Sequence, residues 1–177
     1  LEVLVLKGLE ALNSAMPREH SPYKEWSEFS KRLAETLARY HALPERPDSE
    51  HLPIIRERVA AIQQQSDTAL NAWVEAQHYA DLTLQPVSNG PVMVHHIPRF
   101  LRRQHGSGQS RIALLVFDGL AIDQWIQIRE HLISGSGRYE FTEGTSFAWL
   151  PTVTSVSRQA LFSGLKPREF ADSIDRT

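Results

Sequence analysis

Six residues toward the carboxyl end, TVTSVS at 152–157, hold two threonines and two serines behind Pro151 and ahead of the apolar run QALF. A hydroxyl in such a place has two readings. It can accept a bond from a free backbone N–H and cap the helix that follows. It can also be a nucleophile, because the first turn of a helix presents unpaired N–H groups and the positive end of the dipole, a setting suited to phosphate. Asp118 bears on the choice, since it directly follows the apolar run IALLVF at 112–117. A carboxylate there can ligate a metal, and a metal lowers the pKa of a hydroxyl beside it. Asp118-Gly119 can equally cap the next helix. On spacing alone, capping is the plainer reading of both places, because one carboxylate and one hydroxyl do not make a metal site.

These residues must be positioned by the elements around them. IALLVF is continuous, apolar and partly β-branched, the pattern of a strand buried on both faces. The stretch 120–133 predicts a helix with Ile122, Trp125, Ile126, Arg129 and Leu132 on one side. YEFTEG at 139–144 and FAWLP at 147–151 read as short strands. SVSRQALF then predicts a short helix ended by Gly164, with Pro167 beyond it. Strand, helix, strand, helix is the order of an α/β domain with a parallel sheet, in which ligands bind at the carboxyl ends of strands.

The first half of the chain reads as helix. Ser21-Pro22 predicts an N-cap and first helical residue, followed by Tyr23, Trp26, Phe29, Leu33, Leu37 and Tyr40 at helical spacing. Leu43-Pro44 and Arg46-Pro47 form a linker. A second helix is expected from about Pro53, with Ile55, Val59, Ile62, Ala69, Trp73 and Ala76 as its buried stripe. QPVSNGP at 85–91 is a turn, MVHHIPRFLRRQ a short helix with a kink expected at Pro98, and HGSGQS at 105–110 a link. The division expected is a helical region 1–91, a short helix and linker 92–110, and an α/β region 111–177.

Other constellations carry less. His95, His96 and His105 are the one local histidine group, but adjacent residues on a helix point about 100° apart, so the pair is expected as partly exposed helical residues. Arg99, Arg102 and Arg103 around Phe100 read as a solvated basic face. Asp123 is expected to face solvent or pair locally, and position 120 is leucine, so no second aspartate follows Asp118 at the spacing of an aspartyl phosphatase. No GxxxxGK[ST] or GxSxG motif is present. The 177 residues carry a net charge of −2 with both signs interspersed, which gives no support to a nucleic-acid surface. There is no cysteine, which excludes disulfide and thiolate chemistry and fits a reducing, cytoplasmic setting. No apolar run is long enough for a bilayer, and the opening LEVLVLKGLEAL lacks the basic leader of a signal peptide. Beginning at Leu1 rather than methionine, the chain reads as a piece of a longer protein.

LLVFDGLAIDQW, followed by WLPTVTSVSRQALFSGLKP, resembles the PglZ family, a component of BREX bacteriophage-defence systems within the alkaline phosphatase superfamily. The second segment is also similar to the nucleotide pyrophosphatase/phosphodiesterase pattern, with Pro151, Thr152, Val153, Thr154, Gly164 and Pro167 in register. The resemblance implies that Asp118 is a metal ligand and that Thr154 is both nucleophile and bridging metal ligand, with Ser155 and Thr152 its competitors and Ser155 the expected cap. It implies two divalent ions, Zn²⁺ or Mn²⁺, about 4 Å apart, a phosphoester or nucleotide-type substrate, and other defence-system proteins as partners. Arg158 would be an extra phosphate contact. Members of the superfamily complete the metal site with later aspartates and histidines, and Asp172 and Asp175 come too soon and without histidines. The expectation is therefore the first part of a metal-dependent phosphatase or phosphodiesterase, inactive as this piece alone. The alternative is a non-catalytic interaction or scaffold module of the defence complex.

Overall fold

The computed structural model describes residues 1–45, 49–86, 90–106, 111–136 and 139–176. Arg46-Pro47, the centre of QPVSNGP, and residues 107–110 and 137–138 lie outside them. The structure is 67% helical, with seven α-helices among the described residues. They are α1 (Glu2–Ser14), α2 (Tyr23–His41), α3 (His51–Glu75), α4 (His78–Asp81), α5 (Ile97–Gly106), α6 (Ile122–Ser136) and α7 (Thr154–Ser163). The residues form two compact units. One comprises Leu1–Tyr79 with Leu120–Phe141, the other Ala80–Gly119 with Thr142–Thr177.

In the first unit, apolar residues three and four apart put one stripe of each helix into a shared core. Val5, Leu9 and Leu12 from α1 meet Phe29 from α2 and Ile55, Val59 and Ile62 from α3, none of them more than 5% exposed. Burying one such side chain contributes about 1.5–3 kcal/mol. Trp26 packs edge-on to Phe29 and against Trp73 at 6.0 Å, and the Trp73 indole N–H donates to the Ser21 carbonyl at 2.7 Å. The opposite face of α2 offers Ala34 and Ala38, small residues that admit Ile126 of α6. Ser21 does not cap α2. Pro22 holds the cap position, while the Ser21 hydroxyl donates to Glu25 at 2.6 Å and accepts from the Arg18 N–H.

In the second unit, a 3-10 turn at Val94–His96 leads into α5, so Pro98 falls in the first turn, where its missing N–H costs nothing, and no kink results. α7 packs against that 3-10 turn and α5 through Ala160, which is fully buried. Gly164 ends α7 with φ +71°, the left-handed cap its position predicts.

The expected α/β domain with a parallel sheet is not what the structure holds: there is no β-strand among the described residues. Among the described residues, an isolated parallel bridge joins Met93 and Phe147, closed by Val94 N–H to the Phe147 carbonyl and Phe147 N–H to the Val92 carbonyl. The composition of IALLVF predicts a strand buried on both faces, yet all six residues are exposed, Leu115 and Phe117 by 70% and 66%. The reason is physical. A parallel strand exists only as a ladder with neighbours whose crossovers cover both faces, and no described segment pairs with 112–117. YEFTEG likewise forms no ladder, and FAWLP contributes only Phe147 to the bridge.

Candidate functional site

α7 starts at Thr154, with Val153 in the cap position and no side-chain capping bond. Val153 is extended, φ −83° and ψ 133°. Its N–H donates to the Pro151 carbonyl at 2.7 Å, and its own carbonyl accepts the Ser157 N–H at 3.0 Å. The hydroxyl cluster therefore does not cap this helix, and Ser155 is not the cap it was expected to be. Thr154 is exposed at the first helical position, while Ser155 and Ser157 are half-buried. The four N–H groups of a first helical turn have no partner within the helix.

Asp118 is also exposed, and Gly119 turns the backbone behind it at φ +73°. Its carboxylate goes to a guanidinium: Arg158 Nη2 donates to Asp118 Oδ2 at 3.0 Å, with the two side chains 61% and 49% exposed. Arg158 stands four residues after Thr154, so both lie on one face of α7. The structure thus ties Asp118 to the helix that Thr154 begins. The resemblance offers Arg158 only as an extra phosphate contact, outside the site residues Asp118 and Thr154. The Arg158 bond to Asp118, across forty residues of sequence, has no local signal in the sequence.

The histidine pair is placed differently from its expectation. His95 and His96 lie in the 3-10 turn, each 5% exposed, with ring centroids 4.1 Å apart. His95 packs on Trp149 at 5.1 Å, and its Nδ1 has no hydrogen-bond partner among the described residues. Burial, with His96 and Lys166 adding to it, pushes the His95 imidazole down to about 4. Burial also lowers His96, against a hydrogen bond to the Thr83 backbone, and the Met93 N–H donates to its Nδ1 at 3.3 Å. Both rings are core groups, while His105 is exposed at the far end of α5. Arg99, Arg102 and Arg103 form the exposed face their spacing predicts. Asp123 pairs with His41 of α2 at 2.9 Å, a contact 82 residues apart in sequence rather than a local one.

Asp118 and Thr154 offer oxygens of the kind a divalent ion accepts. Among the described residues, however, no three His, Cys, Asp or Glu side chains gather in a way that could hold a metal. One Asp118 oxygen is already engaged by Arg158, Asp172 is exposed, and the Asp175 side chain lies outside the described set. These residues do not fit a complete two-ion centre. No helix among them is long and apolar enough to cross a membrane.

No curated protein and no solved structure matches the chain. Residues 97–176 match the family described as BREX system PglZ alkaline phosphatase-like domain. The match runs from the first residue of α5 through Asp118 and α7, and so takes in each residue that carried the sequence resemblance. Residues 97–176 are thus similar to the PglZ alkaline phosphatase-like domain of BREX systems.

Proposed function

We propose that this chain carries the nucleophile of a phosphoric-ester hydrolase acting in a BREX phage-defence system, with Thr154 as that nucleophile. The observation that carries the reading is the arrangement on α7. Thr154 opens the helix uncapped and exposed, and the Asp118 carboxylate is bound one turn away through Arg158. In this reading the Thr154 oxygen attacks phosphorus as the ester's leaving oxygen departs. The free N–H groups of the first turn then receive a phosphoryl oxygen. Water hydrolyses the resulting phosphothreonine or nucleotidyl-threonine. Asp118 and Thr154 are the chain's candidate ligands for Zn²⁺ or Mn²⁺, which enter the proposal as an assay condition. The substrate class is a phosphoester or nucleotide-type ester, the partners are other proteins of the same defence system, and the setting is the cytoplasm.

The test is hydrolysis of 4-nitrophenyl phosphate and bis(4-nitrophenyl) phosphate by the full-length protein that contains this chain, with and without added Zn²⁺ or Mn²⁺. Turnover is expected only with the ion. Thr154→Ala should lower it by roughly a thousandfold or more, the scale on which loss of a nucleophile acts. Undiminished turnover in that variant would overturn the assignment. One observation favours a second reading, an interaction module of the defence complex: IALLVF lies exposed and unpaired among the described residues, as a contact segment would. Absence of turnover with both esters and both ions would select it.

A further inference from the structure

We infer that Arg158 is the positioning residue that holds Asp118 beside the Thr154 end of α7, an inference that rests on the reading of Asp118 and Thr154 as site residues given above. The backbone around Asp118 supplies no ladder to fix it. Residues 111–117 are exposed and pair with no described segment, and Gly119 follows in the left-handed region. What locates the carboxylate is the side-chain bond from Arg158 Nη2 to Oδ2 at 3.0 Å. Arg158 is itself fixed by α7, whose buried Ala160 seats the helix against the 3-10 turn and α5. Because Thr154 and Arg158 are i, i+4 on that helix, one guanidinium sets the separation between carboxylate and hydroxyl.

The contact engages a single carboxylate oxygen, which leaves the second to accept from a bound group while the first stays anchored. Carboxylates that act on ligands are commonly held by such an outer bond. A single N–H donor is needed here rather than a guanidinium fork, so a lysine ammonium can replace it. The pair is half-exposed, and salt should weaken it as the screening length falls from about 10 Å at 0.1 M to about 3 Å at 1 M.

The chain has no cysteine, which makes spin labelling at introduced cysteines selective. Nitroxides at Phe117→Cys and Phe162→Cys, both exposed positions of the second unit, report the separation of the Asp118 segment from α7 by pulsed electron resonance, with no turnover required. The parent sequence should give one narrow distance at low salt. That peak should be lost in Arg158→Ala, in Asp118→Asn and at 1 M NaCl, and should return in Arg158→Lys. A narrow distance that survives both Arg158→Ala and high salt would overturn the inference. The outcome is separable from the nucleophile assignment, which stands or falls on Thr154→Ala turnover alone.

Discussion

Acid should destabilise the second unit as the pH falls below about 6.5, and the size of the effect follows from His95. Its imidazole is 5% exposed, its Nδ1 has no hydrogen-bond partner among the described residues, and burial holds it at about 4 against an ordinary 6.5. As the pH falls below 6.5 the unfolded chain takes up a proton that the folded chain refuses. The stability present at neutral pH is therefore lost through the window from about 6.5 down to about 4. Between pH 7 and pH 5 this one residue should cost about 2 kcal/mol, and the complete shift about 3 kcal/mol. His96 is lowered as well, chiefly by burial, and acts with the same sign. His96, Lys166 and Arg99 oppose protonation of His95, and Glu169 favours it. The assay is urea unfolding at pH 7, 6 and 5, followed by circular dichroism and by fluorescence. Trp149, which packs on His95, is the one tryptophan of the second unit. His95→Phe keeps an aromatic ring in the buried site and removes its titration, so it should flatten the pH slope by the His95 share. A wild-type midpoint that does not move between pH 7 and 5, or an unchanged slope in His95→Phe, would refute the reasoning.

Two further substitutions probe backbone positions that the packing restricts. Gly8→Ala should destabilise the first unit by about 1–3 kcal/mol in chemical denaturation, because the new Cβ would stand 2.8 Å from Thr36 Oγ1. Thr36 is 3% exposed and its hydroxyl donates to the Arg32 carbonyl, so it cannot yield, and adding Thr36→Ala should recover part of the loss. Gly164→Ala should cost about 1 kcal/mol, the penalty of a side chain in the left-handed region, without a steric share, since its nearest neighbour is the His95 carbonyl at 3.6 Å. A thermal midpoint equal to wild type would refute that reading of the α7 cap.

What could be read from the sequence divides by how local its cause is. The stripe Ile55, Val59, Ile62, Trp73 and the stop at Gly164 were legible because helix periodicity and a left-handed cap are set within a few residues. IALLVF misleads for the complementary reason. Its composition states that it suits a strand, but a strand is a relation to a second segment, and the described chain has none that takes the role. An even helix would leave His95 and His96 partly exposed. A 3-10 turn instead aims both rings inward, where Trp149, more than fifty residues on, closes over His95. The site shows both behaviours at once. Thr154 was singled out by the pattern Pro151, Thr152, Thr154, Gly164, Pro167, a local signature, and the structure adds that no hydroxyl of the cluster serves as the cap. The partner of Asp118 could not be read, since nothing near position 118 points to position 158. An exposed ion pair contributes only about 0–1 kcal/mol to stability, so the bond from Arg158 has little bearing on whether the unit folds. Its consequence is geometric: it decides where a carboxylate with no ladder to hold it stands relative to the hydroxyl that opens α7.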